Sequence, residues 1–241
     1  MCKYHFEIII LNGRPGSGKS EVIDYLKKTP VDERIRRFHI GKLDEIDDFP
    51  MLWTWFEEDA ILEKILQKPR MHTDKEGYFL YEYQWHLLIE RISMEYGKRL
   101  RDIENYHNEY TSLVEFSRGS EHGGYAEAYK YLSDEILKKA AIFYIEVSFD
   151  ESLRKNRKRF NPDRPDSILE HGLPDEKLKR LYGEIDWEAF KGDDPEFITI
   201  EGHKVPYVVL QNENDITTAR DERLGDALED LCGKLWVLRK K

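Results

Sequence analysis

A glycine-rich turn close to the N-terminus contains residues that could hold the phosphate groups of a nucleotide. Gly13 is followed, after four residues, by Gly18, Lys19 and Ser20, which is the spacing of a P-loop. In a P-loop the backbone N–H groups point at the phosphates, the lysine reaches the β- and γ-phosphates, and the serine hydroxyl binds Mg²⁺. Lys19 is therefore a candidate catalytic residue, and Ser20 is a candidate magnesium ligand. The residues predicted to bind the nucleotide are Gly13, Arg14, Pro15, Gly16, Ser17, Gly18, Lys19 and Ser20.

The sequence on each side of this turn is typical of the strand and helix that a P-loop joins. Residues 6–11 are rich in isoleucine, as expected of a strand that is buried on both faces. Residues 21–28 place Val22 and Leu26 four positions apart, on one apolar face of a helix. The start of that helix adds positive potential where the phosphates would lie. These flanks favour a true P-loop over a glycine-rich turn that matches the pattern by chance.

The composition of the chain limits its partners and its compartment. With 241 residues the chain is long enough for one large α/β domain, and its net charge of −10 argues against a general binder of nucleic acid or anionic membranes. Cys2 and Cys232 lie far apart, so neither a disulfide framework nor a zinc site is predicted. No apolar run approaches the length of a membrane span. We therefore expect a cytoplasmic protein with no nucleic-acid or membrane partner, and the choice between a monomer and a homodimer stays open.

Strand-like and helix-like segments alternate along the chain, and no linker or repeat divides it. This alternation predicts a single domain over residues 1–241, with a three-layer α/β/α P-loop NTPase fold and a mostly parallel sheet. The predicted strands are residues 6–11, 34–40, 110–116, 140–148, 197–200 and 206–210. The predicted helices are residues 21–28, 51–67, 80–106, 126–139, 150–159, 174–190 and 224–238.

A second group of functional candidates follows the predicted strand 110–116. Glu115 lies near the carboxyl end of that strand, where open α/β sheets bind their ligands. A carboxylate at this position could bind Mg²⁺ or orient a nucleophile, and Arg118 could pair with a phosphate or a carboxylate. We therefore predict that Glu115 and Arg118 are catalytic and that Glu115 also binds the metal. The alternative is a strand end with a flexible turn, in which Arg118 forms a surface ion pair and His122 faces the solvent.

The densest cluster of basic residues in this acidic chain lies in a segment of about residues 150–175. Arg154, Arg157 and Arg159 follow a predicted strand, and Arg164 lies in a proline-rich loop after them. Arginines on a mobile segment above a triphosphate can stabilise the charge on the phosphoryl group that is transferred. Arg154, Arg157 and Arg159 are therefore predicted catalytic residues on a helical lid. The alternative is an ordinary solvated helix face, which charge runs usually form.

Together these three groups resemble the nucleoside and nucleotide kinases of the P-loop class, and thymidylate kinases and deoxyribonucleoside kinases most of all. In that branch the P-loop is followed by an Asp-Arg or Glu-Arg pair after a central strand, and then by a lid that carries arginines. Glu115 and Arg118 resemble the pair, although Phe116 and Ser117 separate them here. The resemblance implies a kinase that transfers the γ-phosphate of Mg-ATP to a small molecule such as a nucleoside or nucleotide. The chain also resembles hypothetical P-loop NTPases related to these kinases, for which no substrate is implied.

Residues 206–215 resemble the late strand and loop of these kinases that pack on the adenine base. The resemblance implies that Asn212 and Asn214 belong to the nucleotide site. Asn212 to Asp215 also has the spacing of the guanine-reading motif N-K-x-D, but Glu213 replaces the lysine. We therefore predict that the site prefers ATP to GTP, and we favour a kinase over a GTPase.

Aromatic residues after the predicted strand 34–40 could bind the phosphate acceptor. Trp53, Trp55 and Phe56 could stack on a planar acceptor. Trp55 and Phe56 could equally be core residues, so both interpretations stay open.

Four carboxylates in the same stretch could supply the base that takes a proton from an acceptor hydroxyl. Asp44 and Glu45 are the better candidates, because they come soonest after the predicted strand. The acidic character of the stretch favours a neutral or cationic acceptor over a nucleotide monophosphate, and the alternative is a solvated acidic loop. The four carboxylates are Asp44, Glu45, Asp47 and Asp48.

The favoured function is phosphoryl transfer to a small-molecule acceptor, with ATP and Mg²⁺ as cofactors. The alternative is a nucleotide-dependent regulatory ATPase or switch that acts on a protein partner. A phosphorylated small-molecule product would support the kinase. Nucleotide-dependent binding of a partner, without such a product, would support the switch.

Overall fold

The computed structural model describes residues 4–159, 163 and 172–240. A mostly parallel sheet lies at its centre. Within these residues, six strands pair in the order β2-β3-β1-β4-β6-β5. They are β1 (Ile8–Gly13), β2 (Lys42–Asp47), β3 (Tyr110–Phe116), β4 (Ala140–Glu146), β5 (Phe197–Ile200) and β6 (His203–Gln211). All neighbouring strands are parallel except β5 and β6, which form an antiparallel hairpin.

Helices cover both faces of the sheet. Ile8 and Ile10 of β1 belong to the apolar core on one side, whereas Ile9 and Leu11 belong to the core on the other side. Successive side chains of a strand point to opposite faces, so burial on both faces explains the isoleucine-rich run. The predicted three-layer α/β/α fold with a mostly parallel sheet is confirmed. The helices are α1 (Lys19–Lys28), α2 (Val31–Phe38), α3 (Asp48–Lys64), α4 (Tyr83–Asp102), α5 (Gly124–Ala128), α6 (Asp134–Lys139), α7 (Phe149–Arg159), α8 (Asp175–Tyr182), α9 (Trp187–Lys191) and α10 (Glu222–Arg239).

The predicted strand over residues 34–40 is wrong, because most of these residues belong to α2. Arg34 and Phe38, four positions apart, are both buried on the inner side of this helix. The Arg34 guanidinium donates hydrogen bonds to the backbone oxygens of Leu26 at 2.6 Å and Gly41 at 3.0 Å. A hydropathy pattern does not predict that a charged side chain is buried at this position. Because residues 31–38 form a helix, β2 lies later in the chain than expected, at Lys42–Asp47.

Two predicted helices are interrupted in the structure. The segment 126–139 is divided between α5 and α6, because the Ser133 side chain caps a new helix start. The segment 174–190 is divided between α8 and α9. Asp186, directly before α9, accepts a hydrogen bond from the backbone N–H of Tyr125 at 2.7 Å. At each break a polar side chain accepts a hydrogen bond from a backbone N–H group: Ser133 from Ile136, and Asp186 from Tyr125.

The predicted lid is described only at its two ends. α7 covers its beginning and α8 follows it, whereas residues 160–162 and 164–171, including Arg164, lie outside the described residues. A separate finding concerns membranes: no helix in the described part of the chain is long and apolar enough to cross a bilayer.

Candidate active site

The carboxyl ends of β1, β2 and β3 open into a cavity of about 1310 Å³. This edge of a parallel sheet is where α/β folds bind their ligands. We call the part beside residues 13–20 the phosphate half, and the part lined by α3, residues 75–79, α4 and α8 the acceptor half. Pockets for one small ligand measure about 300–1,000 Å³, so this cavity has room for a nucleotide and a second molecule.

The backbone of the P-loop adopts conformations that glycine tolerates best. The φ angle is +152° at Gly13, +73° at Gly16 and +112° at Gly18. A Cβ atom at Gly13 would lie 2.6 Å from the backbone oxygen of Ile145, and one at Gly18 would lie 2.5 Å from Thr217 Oγ1. The glycine spacing is therefore required by close packing against β4 and the segment after β6, and it shapes the loop as a phosphate cradle.

Side chains around the P-loop hold it from outside. The Arg14 guanidinium donates hydrogen bonds to the backbone oxygens of Val147 at 2.9 Å and Tyr182 at 3.2 Å. The Ser152 hydroxyl donates to the backbone oxygen of Pro15 at 2.7 Å. Arg14 therefore contributes its backbone to the predicted nucleotide site, while its side chain fixes the loop. The P-loop residues that line the cavity are Pro15, Gly16, Gly18, Lys19 and Ser20.

Lys19 lies folded over the P-loop in the phosphate half. Its Nζ donates hydrogen bonds to the backbone oxygens of Gly13 and Arg14, both at 3.1 Å, and to the Ser117 hydroxyl at 2.8 Å. Glu115 Oε1 lies 3.8 Å from the same nitrogen. Burial lowers the pKa of Lys19, and the charge of Glu115 opposes this shift. Because a phosphate binds an ammonium more strongly than neutral carbonyls do, Lys19 can exchange these partners for a nucleotide.

Two partly buried carboxylates lie side by side at the ends of β2 and β3, where Asp47 is the register partner of Glu115. Burial, followed by the charges of Glu115 and Asp48, raises the pKa of Asp47 to about 8. Burial also raises the pKa of Glu115, against the effect of Lys19. Two like charges this close disfavour each other, and a cation between them would favour the ionised forms. The arrangement makes Asp47 a second candidate for metal binding beside Glu115.

The oxygen donors at this edge fit a magnesium ion. Ser20 and Glu115, the two predicted ligands, both line the cavity together with Asp47. Mg²⁺ prefers oxygen ligands and usually keeps several waters. Among the described residues, no cluster of three or more His, Cys, Asp or Glu side chains could hold a metal by itself. A bound Mg²⁺ would therefore take its remaining ligands from the nucleotide and from water.

The predicted preference for Asp44 or Glu45 as the base is wrong, because both lie within β2 and neither lines the cavity. Asp44 accepts hydrogen bonds from the Tyr106 hydroxyl at 2.7 Å and from Arg99 Nε at 3.2 Å. Glu45 forms an ion pair with Lys27 at 2.6 Å. The error follows from the misplaced strand, because β2 is Lys42–Asp47 and therefore contains both residues. Of the four candidate carboxylates, only Asp47 and Asp48 line the cavity.

Asp48 and Arg118 form a buried ion pair in the wall of the acceptor half. Arg118 Nη1 donates to Asp48 Oδ2 at 2.6 Å, and the guanidinium lies 5.2 Å from the centroid of the Trp85 ring. Arg118 is only 3% exposed, so it does not form the surface ion pair of the alternative interpretation. The His122 ring also stacks on Trp85, with centroids 5.2 Å apart, and lines the cavity. Burial lowers the pKa of His122, which does not simply face the solvent.

The three arginines of the predicted lid lie in different surroundings. Arg154 forms an ion pair with Asp215 at 3.0 Å, and Arg157 forms one with Asp175 at 2.5 Å. Neither of them lines the cavity, whereas Arg159 at the end of α7 does. In this conformation Arg159 is therefore the best placed of the three to act on a nucleotide, and the catalytic roles of Arg154 and Arg157 stay predictions.

The two asparagines of the predicted adenine loop also differ. Asn212 is fully buried, and its Nδ2 donates to the backbone oxygen of Ser17 at 2.7 Å and to Thr217 Oγ1 at 2.8 Å. Asn212 thus supports the P-loop from behind. Asn214 is exposed and does not line the cavity. The residues of this region that do line it are Thr218 and Arg220.

The aromatic residues predicted to bind the acceptor divide between cavity and core. Trp53 and Phe56 line the acceptor half. Trp55 is buried behind them and stacks on His72 with centroids 5.3 Å apart, as the core interpretation expected. The stacking role of Trp53 and Phe56 stays a prediction, now with both rings on the cavity wall.

Sequence reasoning missed most of the acceptor half. Residues 65–82 form the loop between α3 and α4, and Asp59 holds this loop in place. The Asp59 carboxylate accepts hydrogen bonds from the backbone N–H groups of Met71 and Thr73, each at 2.7 Å. The loop brings an aromatic pair into the cavity, and no spacing pattern in the sequence indicates this. Further lining residues that were missed are Tyr78, Phe79, Trp85, Lys155, Lys177 and Arg180.

Comparisons with known proteins find distant likenesses in shape. No protein-family model matches the chain, and no curated protein matches it in sequence. The chain is similar to a sugar kinase from a Janibacter species, with 11% identity, a TM-score of 0.45, and coverage of 95% of this chain and 98% of that one. It is similar to a gluconokinase from Sinorhizobium meliloti, with 14% identity, a TM-score of 0.44, and coverage of 97% and 98%.

A third solved structure is a shikimate kinase from Acinetobacter baumannii in complex with shikimate. It shares 16% identity with this chain, at a TM-score of 0.33 and with coverage of 73% of this chain and 75% of that one. Identities and TM-scores in this range do not place the chain in a family. The resemblance to thymidylate and deoxyribonucleoside kinases stays a prediction from the motifs.

Proposed function

We propose that the protein is a kinase that transfers the γ-phosphate of Mg-ATP to a hydroxyl group of a small molecule. One observation carries this proposal: the P-loop with Lys19 and the Asp48–Arg118 pair lie on the wall of the same cavity. A kinase needs both the donor and the acceptor in one space. A regulatory ATPase would need the phosphate half alone.

The phosphate half would hold the nucleotide. Backbone N–H groups of the glycine-rich loop would bind the phosphate oxygens, and Lys19 would leave its two carbonyl partners for the β- and γ-phosphates. Ser20, Glu115 and Asp47, which line the cavity, would supply oxygen ligands for Mg²⁺. When bound, the ion neutralises charge on the phosphates and polarises the γ-phosphoryl group.

Asp48 is the best candidate for the base that accepts the proton of the acceptor hydroxyl. As the hydroxyl oxygen bonds to the γ-phosphorus, the bond to the ADP oxygen breaks and the proton passes to the Asp48 carboxylate. Arg118 orients that carboxylate through its 2.6 Å hydrogen bond. Asp47 is less suitable, because its carboxylate would bind Mg²⁺ together with Glu115.

Basic side chains above the P-loop would stabilise the transferred group. Lys155 is buried at the cavity wall, where it pairs with Asp215 at 2.6 Å, and Arg159 lines the cavity beside it. Positive charge at this place favours the transition state, in which negative charge spreads over the phosphoryl oxygens.

An acceptor screen tests this function. The protein is incubated with Mg-ATP and a panel of small-molecule alcohols, and mass spectrometry detects phosphorylated products. We expect ADP formation that depends on the acceptor, and Asp48→Asn should abolish product while ATP still binds. Glu45→Gln, outside the cavity, is the matched control. ATP hydrolysis that is independent of every acceptor, together with nucleotide-dependent binding of a protein partner, would favour the regulatory ATPase instead.

A further inference from the structure

The acceptor half is lined mainly by a continuous series of aromatic rings. Trp85 lies 4.7 Å from Phe79, Phe79 lies 6.4 Å from Phe56, and Phe56 lies 6.3 Å from Trp53, measured between ring centroids. All four side chains line the cavity. Such a surface favours a flat, apolar ligand, because a polyol would lose its hydrogen bonds to water against these rings.

The end of this aromatic wall beside the P-loop is polar. Trp85 contacts the Arg118 guanidinium, which pairs with Asp48. Asp48, the candidate base of the proposed function, lines the cavity at this end of the wall. The reacting hydroxyl of the acceptor therefore belongs at this end.

A second position on the wall, beside Phe56 and Tyr78, carries an ammonium group, Lys177 on α8. Its Nζ donates hydrogen bonds to the backbone oxygens of Gly77 at 2.5 Å and Glu76 at 3.2 Å. It also lies 5.5 Å from the centroid of Phe56 and 4.8 Å from that of Tyr78. A Cβ atom at Gly77, where φ is +77°, would lie 2.8 Å from this nitrogen. The glycine turn and the two rings thus form a built position for the ammonium.

The charge of Lys177 is not neutralised by an ion pair with any carboxylate of the described residues. Burial is the main effect that lowers its pKa, the charges of Arg180 and Arg70 add to it, and Asp74 opposes it. Arg180, also on α8, lines the cavity but is paired with Glu121 at 2.8 Å. Of these two cations on α8, Lys177 is therefore the one that an anionic ligand would stabilise more.

We propose that the acceptor is a flat, largely aromatic alcohol that carries an anionic group, such as a carboxylate, which Lys177 binds beside Phe56 and Tyr78 in the acceptor half. This inference rests on the proposed function for the position of the hydroxyl group. It differs from the neutral or cationic acceptor expected from the acidic sequence around residues 44–48, because those acids are paired or directed elsewhere. Glu57 and Glu76 also line the cavity, but both are exposed to solvent, where charge is screened.

Calorimetry with two matched probes tests the proposal. The probes are 6-(hydroxymethyl)-2-naphthoate and its neutral amide, titrated into the full chain in the presence of Mg-ADP. We expect the carboxylate to bind at least about tenfold more tightly, as a charge-assisted hydrogen bond requires. Lys177→Met should remove this preference, and Lys177→Arg should keep most of it. Lys179→Met, which changes an exposed lysine on the same helix, should leave the preference unchanged.

Each other result of this experiment overturns part of the proposal. Equal binding of both probes by the wild type, or a preference for the carboxylate that survives in Lys177→Met, would show that Lys177 does not bind the anionic group. If neither probe binds, the inference that the acceptor has a flat aromatic body is wrong. If Lys177→Met does not fold, Lys177→Gln keeps a donor for the Gly77 carbonyl, and an equal loss of both probes would then indicate a structural role only.

Product analysis separates this inference from the kinase function itself. Tight, charge-dependent binding without a phosphorylated product would uphold the assignment of Lys177 and overturn the kinase. Phosphorylation of the amide at the same rate and affinity as the carboxylate would support the kinase function and overturn the assignment of Lys177.

Discussion

The two halves of the cavity are built from different kinds of structural elements. The phosphate half depends on eight consecutive residues, 13–20, whose glycines give the loop its backbone conformation. The acceptor half depends on side chains from α3, α4, α8, the end of β3 and the loop of residues 65–82. Backbone recognition is encoded locally, and recognition by side chains from distant segments is created only by folding. This explains why the sequence predicts a donor nucleotide but not the acceptor.

The halves also differ in how their charges are compensated. In the phosphate half, burial perturbs the pKa values of Lys19, Asp47 and Glu115, whose charges would be balanced by a nucleotide and a metal. In the acceptor half, Asp48 and Arg118 already neutralise each other, whereas burial lowers the pKa of Lys177 and of His122. Four predictions test this comparison of the two halves.

The largest expected effect is the loss of Lys19. Lys19→Ala should reduce phosphoryl transfer by about 10³–10⁵, the scale of a cation that stabilises the transferred group. The substitution removes an ammonium that is costly to bury, together with three hydrogen bonds and the ion pair with Glu115 at 3.8 Å, so the thermal midpoint should change little. A turnover assay, isothermal titration with Mg-ATP and a melting curve measure the rate, the affinity and the stability, and Lys27→Ala on the same helix is the control. Unchanged nucleotide affinity and turnover would end the P-loop interpretation.

The second effect concerns the base. Asp48→Asn should lower kcat by about 10²–10⁴, the usual contribution of general base catalysis, with little change in the KM for ATP. The asparagine keeps a hydrogen-bond acceptor for Arg118, so the fold should persist. Asp44→Asn, in the same segment but outside the cavity, should retain activity. Loss of activity in Asp44→Asn together with full activity in Asp48→Asn would instead support Asp44 as the base.

The third effect separates the arginines of α7. Arg159→Ala should lower kcat by about 10²-fold, because this side chain lines the cavity. Arg157→Ala should change it by less than about fivefold, since its ion pair with Asp175 lies at the surface. Single-turnover rates with saturating Mg-ATP make the comparison. Equal losses in both variants would mean that the segment moves and brings Arg157 over the nucleotide as well.

The smallest effect is a pH dependence of stability. The pKa of Asp47 in the folded protein, about 8, lies above its ordinary value of 3.8, so the native state binds more protons than the unfolded state between these values. The free energy of unfolding of the nucleotide-free protein should therefore fall as the pH rises from about 5 to 8. Asp47→Asn should reduce that slope, and Mg-ATP should reduce it too. A slope that the substitution leaves intact would place the titrating group elsewhere.

Several parts of the fold were predictable because their signals are local and repetitive. β1 and β4 are apolar runs buried on both faces, and β3 coincides with the predicted segment 110–116. The P-loop glycines mark positions where the chain passes too close to other atoms for a side chain. The apolar runs and the glycine spacing are both patterns within a few residues, so the sequence alone was enough to predict the sheet core and the P-loop.

The position of β2 could not be predicted for a particular physical reason. Arg34 is buried because its guanidinium satisfies the backbone oxygens of Leu26 and Gly41, and these partners are invisible in a hydropathy pattern. The resulting shift moved the candidate base from Asp44 or Glu45 to Asp48. An error in one element thus changed the chemistry assigned to the site.

Only the tertiary structure decided which residues face the acceptor. Arg118 meets Asp48 across 70 residues of sequence, and Lys177 meets Gly77 across 100. Such pairs arise from how helices and loops pack on the sheet, and no local periodicity encodes them. The sequence by itself determined that a phosphate cradle exists and where the chain forms it. Folding determined what lies opposite that cradle, because side-chain contacts between distant segments depend on the packing of the whole domain.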